Sequence, residues 1–323
     1  PFFQPMNCKN VLVEGVEFRF GAFWTITPCY CENVIIRKVK VTTWESAQRS
    51  APNGDGIDPD SCKNVLIEYC DLDTGDDCIA IKAGKDQDGL RVAKPMENIV
   101  VRFVRGYRGH GGVVCGSETS GIIRNLFAHD CQFDGTDRGL RFKTGRGRGG
   151  GIENVWCQNI QMGTIAQAAF DLNMLYTGAR LPMQPVGATT PFLRKMHFSN
   201  ITCTDSKKVL LDIMGLPERP IEDISFDKVE IAGGGPVQLE DANGVHFTDV
   251  KLTTAKAPVV QALDCSAVEF RNTMAPAGMA GIATILGART NAFGFFGTTN
   301  FGPKVPNSIQ LGNGAKADSF KTE

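Results

Sequence analysis

The chain lacks the features that mark membrane-spanning, nucleic-acid-binding and disordered proteins. No stretch of 18 or more apolar residues occurs in its 323 residues, so no transmembrane helix is predicted. Lys and Arg total 34 against 35 Asp and Glu, so no excess charge would attract nucleic acid or an anionic membrane. Hydrophobic residues (42%) and charged residues (21%) are near globular norms. The composition predicts a soluble protein whose charge recognition is local.

Cysteine spacings typical of redox or zinc sites are also missing. No Cys-x-x-Cys pair or Cys/His zinc pattern occurs, and the 11 cysteines are an odd number, so at least one thiol is unpaired. We therefore predict no metal and no cofactor. Six cysteines recur near strand starts or ends and are predicted to be packing residues: Cys8, Cys31, Cys62, Cys131, Cys157 and Cys203.

No signal peptide is present, and the chain opens at Pro1 inside a strand-like pattern. We therefore expect that an N-terminal portion has been removed.

An internal repeat runs through most of the chain. CKNVLVEGVEF at residue 8, CENVIIRKVKV at 31 and CKNVLIEYCDL at 62 share an asparagine followed by alternating apolar residues, and weaker copies continue to residue 265. Intervals of 23, 31, 34, 27 and 29 residues separate the marker asparagines, which are Asn10, Asn33, Asn64, Asn98, Asn125 and Asn154. Such spacing indicates a solenoid built from similar coils.

The repeats predict an all-β single domain over residues 1–323, folded as a parallel β-helix. Each copy alternates with period two and is rich in Val and Ile, and no segment shows a sustained helical period. An antiparallel sandwich is the alternative, but asparagine at a fixed place in each coil favours a ladder of stacked turns. Residues 176–195 predict a long loop, and the tail from about 274 to 323 an irregular closing segment.

Polar clusters end strands in four consecutive coils. They are NGDG (53–56), TGDD (74–77), YRGHGG (107–112) and LRFK (140–143). Stacking would bring Asp55 and Asp76 about one strand spacing apart, near 5 Å, with Asp77 beside them. Crowded carboxylates raise the pKa of at least one member, which supplies the acid and the base that glycoside hydrolysis needs. Each cluster alone is more often structural, but together they predict a groove for an anionic sugar.

These four motifs resemble those of the polygalacturonases, family 28 of the glycoside hydrolases. Their signatures are Asn-Thr-Asp, Asp-Asp, Gly-His-Gly and Arg-Ile-Lys, and this chain carries NGD, GDD, GHG and RFK in that order over roughly residues 1–205. The departures are Gly54 for Thr and Phe142 for Ile. The resemblance implies a right-handed parallel β-helix that hydrolyses α-1,4-galacturonosyl linkages of pectin with inversion. It also implies that the first coils of the family fold are missing here.

The resemblance also assigns roles to individual residues. Asp76 would be the general acid, Asp55 and Asp77 would hold and activate water, and His110 would support the acid. Four further residues are expected to bind the substrate: Asn53, Arg141, Lys143 and Tyr176.

Segments such as IAIKAGKDQDG (79–89) are most similar to bacterial members, which hints at exo action on a pectic polysaccharide or oligogalacturonide. A secreted or periplasmic location is implied, with no nucleic-acid or membrane partner and no prediction of oligomeric state. Three alternatives stay open: a rhamnogalacturonan or other pectin hydrolase, a calcium-dependent pectate lyase and a non-catalytic carbohydrate-binding β-solenoid. Against a calcium loop, Lys82 stands where an EF-hand needs Glu.

Overall fold

The computed structural model describes residues 1–46, 49–176 and 178–322, and their backbone winds into stacked coils. Each full coil contributes strands to three faces. Every pairing between named strands in the described residues is parallel except that of a small hairpin, β5 (Trp44–Ser46) with β6 (Arg49–Ser50). The predicted right-handed parallel β-helix is therefore confirmed, and the antiparallel sandwich is excluded.

The first face contains the marker asparagines. Its strands are β1 (Lys9–Glu14), β3 (Glu32–Arg37), β7 (Lys63–Glu68), β10 (Met96–Arg102), β13 (Ile123–His129), the first parts of β16 (Gly151–Ile165), β18 (Phe192–Ser206) and β20 (Ile221–Gly233), then β22 (Ala242–Thr248), β25 (Ser266–Arg271), β27 (Phe293–Phe296) and β29 (Phe320–Thr322).

The second face follows each first-face strand after a short corner. It contains β2 (Glu17–Arg19), β4 (Lys40–Thr42), β8 (Asp71–Asp73), β11 (Arg105–Arg108), β14 (Gln132–Phe133), the later parts of β16, β18 and β20, and β23 (Lys251–Thr254).

The third face is a separate sheet of nine strands. They are β9 (Ile79–Ile81), β12 (Val113–Cys115), β15 (Arg138–Lys143), β17 (Ala168–Asn173), β19 (Val209–Met214), β21 (Val237–Glu240), β24 (Val260–Leu263), β26 (Ala283–Leu286) and β28 (Ile309–Gly312).

Stacked asparagines turn the corner at the start of each early coil, as the repeat predicted. The six marker residues have φ between 55° and 62°, a left-handed conformation that Asn tolerates better than most side chains. From Asn33 onward, each of these side-chain amides donates to the asparagine one coil earlier, over 3.0 to 3.3 Å. A further pair, Asn200 donating to Asn159, forms the same bond at the next corner. The asparagine ladder is therefore confirmed by its hydrogen bonds.

A column of phenylalanines fills the later coils, and the sequence analysis did not identify it. Phe198, Phe226, Phe247 and Phe270 are buried and stack with ring centroids 4.9 to 5.0 Å apart, and Phe295 continues the column at 5.7 Å. The signal was available, because the weaker repeats carry Phe at one shared position (HFSN, SFDK, HFTD and EFRN). Stacked rings add about 0.5 to 1.5 kcal/mol per pair beyond burial.

Several sequence expectations need correction. The tail expected to be irregular contains β26 to β29, which pair in parallel with earlier coils. One α-helix of under two turns, α1 (Asp86–Val92), and a 3₁₀ turn, Ala317–Ser319, interrupt the strands. All 11 cysteines have free thiols, and ten are buried as packing residues, but Cys8 is exposed. Within the described residues no helix is long and apolar enough to cross a membrane.

The asparagine ladder yields a stability prediction at Asn98, which donates to Asn64 and accepts from Asn125, both at 3.0 Å. Asn98→Gly keeps the left-handed corner and removes both bonds, so we expect about 1 to 2 kcal/mol less unfolding free energy in urea. Asn98→Ala should lose about 1 kcal/mol more through strain at positive φ. A glycine variant as stable as the wild type would show that the ladder contributes nothing.

Candidate active site

The three predicted aspartates lie at the corner that leads into the third face. Ile57 pairs with Ile79, so one coil spans 22 residues here and Asp55 lies in register with Asp77, one position later than the sequence analysis expected. One oxygen of each carboxyl group in Asp55, Asp76 and Asp77 lies within 4.8 Å of the others. The spacing near 5 Å expected from coil stacking is therefore present.

The Gly-His-Gly motif has a steric basis. Gly109 has φ 135°, and a Cβ there would lie 2.5 Å from the Asp76 carbonyl oxygen. A Cβ on Gly111 would lie 2.4 Å from the Val114 side chain. The two glycines let this corner pass closely over the preceding coil, which brings the His110 ring to Asp76.

Asp76 and His110 are joined by a hydrogen bond. His110 Nδ1 lies 3.0 Å from Asp76 Oδ1, and the same oxygen accepts the backbone N–H of Asp77 at 2.9 Å. The hydrogen bond to Asp76 raises the pKa of His110, against the opposing effect of partial burial. Asp76 keeps some exposure and His110 faces solvent, so this pair is the part of the cluster that a substrate can reach.

Asp77 is a buried carboxylate held by cations. Lys143 Nζ donates to Asp77 Oδ2 at 2.7 Å, and Arg141 Nη1 lies 3.6 Å from Oδ1. Burial acts to raise the pKa of Asp77, but the two cations and the lysine hydrogen bond outweigh it and hold the pKa below its usual value. Asp77 is therefore ionised at neutral pH.

Asp55 has the opposite electrostatic environment. It is buried, and burial together with the neighbouring charge of Asp58 raises its pKa to about 10, although Lys82 opposes the shift. The adjacent Gly54 departs from the family's threonine for a steric reason. A Cβ at Gly54 would lie 2.7 Å from Thr43 Oγ1, because the Thr43 side chain occupies that space.

The predicted substrate-binding residues line the same cleft, whose volume is ≈ 480 Å³. Asn53 lies exposed at its edge. Arg141 donates through Nε to Asp171 at 3.2 Å, and the exposed Tyr176 ring lies 5.3 Å from Lys143 Nζ. All eight predicted site residues therefore meet in one cleft, with Lys143 bonded to a catalytic candidate as well as facing the groove.

Several residues of the cleft were missed by the sequence analysis: Trp24, Lys82, Ser117, Glu118, Asp137, Arg138 and Gln167. In the sequence, Lys82 was noted only because it stands where a calcium-binding loop would need Glu. Its signal was a lysine closing the apolar strand IAIK, one coil after an aspartate-rich corner. The other residues stand singly in their segments, and only the coil register brings them together.

A larger groove of ≈ 590 Å³ lies on the first face and has a different character. The asparagine ladder and outward apolar side chains such as Leu66, Phe127 and Trp156 line it, and no ionisable side chain is among its lining residues. Of these two grooves, the smaller one therefore contains the cluster of ionisable side chains.

Comparisons with known proteins identify similar chains. The family model described as glycosyl hydrolases family 28 matches residues 1–245. An exo-poly-alpha-D-galacturonosidase of Dickeya chrysanthemi is 27% identical, over 77% of this chain and 41% of its own length. An endo-polygalacturonase of Pectobacterium parmentieri is 29% identical, over 62% of this chain and 47% of its own.

A solved structure is also similar. The hyperthermoactive exopolygalacturonase of Thermotoga maritima superposes with a TM-score of 0.68 at 35% identity, over 76% of this chain and 53% of its own. The chain thus spans about half the length of the relatives it matches.

The buried Lys143–Asp77 pair yields a pH-dependent stability prediction. In Lys143→Met the Asp77 charge loses its bonded cation, so the free energy of unfolding should fall by about 3 kcal/mol at neutral pH. Arg141 remains near Asp77, so the loss of stability should lie at the low end of the range for broken buried ion pairs. A depressed carboxyl pKa stabilises the fold above the unfolded value of about 3.9, and that stabilisation is lost as the pH falls through the folded pKa. The deficit should therefore shrink in acid.

Urea unfolding of both proteins across the acidic range would measure this deficit. The double variant Lys143→Met/Asp77→Asn, which removes both charges of the pair, should recover part of the loss at neutral pH. A deficit of equal size at every pH would contradict the ion-pair explanation and indicate lost packing instead.

Proposed function

This chain belongs to glycosyl hydrolases family 28, and from that membership we propose that it hydrolyses α-1,4-galacturonosyl linkages of pectin or polygalacturonate. We further propose that it inverts the anomeric carbon and acts from chain ends. The observation that carries the proposal is the carboxylate cluster, in which three acids lie within 4.8 Å and each has a different environment.

The different environments of the three carboxyl groups suit a general acid and a general base that act on one glycosidic bond. The proposed acid, Asp76, gives a proton to the glycosidic oxygen as the bond between that oxygen and the anomeric carbon breaks. Water attacks the same carbon from the opposite side, and the ionised Asp77 takes a proton from it. One water is consumed, Asp76 ends ionised and Asp77 protonated, and exchange with solvent restores both. His110, hydrogen-bonded to Asp76, orients the acid.

The environment of Asp77 favours single displacement over a covalent intermediate. Separations near 5 Å are usual in retaining enzymes, and inverting ones show about 6.5 to 9.5 Å, so distance alone does not select inversion. A carboxylate whose charge is already held by Lys143 and Arg141 is a weak nucleophile, and it can still orient and deprotonate water. The family resemblance points the same way.

Cations in the cleft suit an anionic sugar. Arg141 and Lys143 reach the groove from one strand with Tyr176 over them, and Arg138 lies at the start of that strand. A uronate carboxylate there would form charge-assisted hydrogen bonds, which are about twice as strong as neutral ones. A neutral polysaccharide would gain nothing from this arrangement.

Chain-end action is supported by the exo-acting relatives from Dickeya and Thermotoga, and the endo-acting relative from Pectobacterium is the counter-example. Arg148 joins α1 to the cleft residue Ser117: it pairs with Asp86 at 2.5 Å and donates to Ser117 Oγ at 3.2 Å. Such an insertion beside the site would limit how far a polymer extends past the cut. A polymeric substrate also implies action outside the cytoplasm, in the periplasm or medium.

The stereochemical prediction is tested on polygalacturonate. Proton NMR of the first-formed product should show the β-anomer, because inversion acts on an α-linkage. Separation of the products over time should show early release of a single small sugar. Fresh α-anomer would refute the single displacement, and an unsaturated ultraviolet-absorbing product would indicate a lyase. A ladder of intermediate oligomers would replace chain-end action with internal cleavage.

Asp76→Asn is predicted to abolish nearly all turnover with little change in fold or substrate binding. The amide keeps the shape of the side chain but cannot protonate the leaving oxygen, and general acid catalysis typically contributes about 10² to 10⁴-fold. The measurements are kcat on polygalacturonate, circular dichroism and binding of an oligogalacturonide by calorimetry. A folded variant that keeps more than about a tenth of wild-type kcat would show that another group is the acid.

A further inference from the structure

A fourth carboxyl group, Asp58, lies beneath the cluster and has no assigned role. It is fully buried, and neither of its oxygens has a hydrogen-bond donor among the described residues. Asp55 Oδ1, three residues earlier, is also buried without a hydrogen-bond donor among the described residues. Buried acceptors left without a donor cost about 1 to 3 kcal/mol each, so their coincidence needs a physical explanation.

A proton between Asp55 and Asp58 would join one oxygen of each carboxyl group in a hydrogen bond. Two carboxylates offer only acceptors to each other, whereas one protonated carboxyl becomes a donor. Burial raises the pKa of Asp55 to about 10 and that of Asp58 to about 7, and for Asp58 the charge of Lys82 acts against the rise. Lys82 Nζ lies 3.5 Å from Asp58 Oδ1 and favours the charged form of Asp58, so the proton belongs on Asp55, with Asp58 accepting it.

Lys82 is the cation placed to hold Asp58 ionised. Its Nζ lies 3.5 Å from Asp58 Oδ1 and 3.5 Å from Glu118 Oε2, and 4.3 Å above the Trp24 ring. The lysine side chain is almost fully buried, and the attraction of Asp58 and Glu118 outweighs the effect of burial, so the pKa of Lys82 stays above its usual value. Asp58, Lys82 and Glu118 come from three successive coils, so their charges alternate along the axis.

We propose that Lys82 is a positioning residue for the hydrolysis: it holds Asp58 as the acceptor of a proton that stays on Asp55, so that Asp77 alone takes the proton from the attacking water. This inference rests on the proposed function and divides the roles of the two aspartates that the family resemblance treats together. Asp55, with its proton in place, orients the water.

Charged groups face these carboxyls from four coils. From the corners before the third face come Asp55, Asp58, Asp76, Asp77 and His110, and from the third-face strands and the turn after β12 come Lys82, Arg141, Lys143 and Glu118. Among these cations Lys82 is the one that lowers the pKa of both Asp58 and Asp77. Its removal should therefore raise the pKa of both carboxyls.

The protonation state is measured directly and without substrate. Infrared difference spectra of protein with ¹³C-labelled aspartate at neutral pH should show the carbonyl band of a protonated carboxyl, and Asp55→Asn should abolish it. Burial and the neighbouring Asp171 raise the pKa of Asp212 to about 7, and Asp76 carries a proton in its proposed role as the acid, so the comparison is made in an Asp76→Asn/Asp212→Asn background. Asp58→Asn, which removes the neighbouring charge that raises the pKa of Asp55, should weaken the band. Its absence from the parent protein would overturn the proposal.

The consequence for catalysis is tested by the pH profile of kcat/KM on polygalacturonate. Lys82→Met should move the acidic limb upward by about one pH unit, since loss of a nearby cation raises a carboxyl pKa by about that much. At pH values below the acidic limb, kcat/KM should fall about tenfold. The variant should regain the wild-type value at higher pH, with KM little changed. Lys82→Arg, which keeps the charge, should restore the wild-type limb.

Lys94→Met is the matched control. Lys94 Nζ also lies over an aromatic ring, 5.0 Å from Tyr30, and donates to the Tyr30 carbonyl at 2.9 Å, but it lies outside the cleft. Its pH profile should match that of the wild type. A loss in Lys82→Met that is equal at every pH, or that Lys82→Arg shares, would mean that Lys82 serves only the fold. If the wild type fails to cut polygalacturonate, the infrared band still decides the proton's position, so the two failures are distinguishable.

Discussion

In-register stacking of parallel strands is the constraint on which the rest of this molecule depends. Each coil repeats the backbone path of the coil before it, and its corner is fixed by a residue at positive φ, which is asparagine in the early coils. Residues in one register column then stand about 4.8 Å apart, however far apart they are in sequence. The core follows the same rule, because its phenylalanines stack on one another for the same geometric reason.

The same rule brings like charges together, and the protein offsets this by alternating charge along the axis. Asp77 is met by Lys143 and Arg141, and Asp58 by Lys82, which also bonds electrostatically to Glu118. Within the described part of the chain no cation is bonded to Asp55, which keeps its proton instead. The differences in acidity within the cluster therefore arise from which neighbouring coil supplies a cation, and the fold itself supplies only the proximity.

The strands and the asparagine ladder were predictable because both are local patterns that repeat. Seven of the eight candidate site residues were proposed because each stands in a short motif of a recognised family, and Tyr176 because of its position after the last motif. Lys82 and Glu118 were not found, because each is a lone charged residue whose meaning comes from a neighbour one coil away. Register mattered even inside the motifs. An interval of about one coil was counted between Asp55 and Asp76, but the strand register pairs Asp55 with Asp77, one residue later. The tail was misjudged because Gly, Ala and Thr conceal strands whose alternation is weak.

The unequal lengths of the coils have a consequence for how such a site can change over time. The marker intervals vary from 23 to 34 residues, and the extra residues lie in corners such as the one that carries α1, while the strand registers on either side are undisturbed. Insertions and deletions at corners therefore reshape the walls of the groove without moving its floor. Substrate preference and chain-end access can diverge among descendants of one ancestor while the distances between the reacting groups, set by main-chain hydrogen bonds, are inherited unaltered.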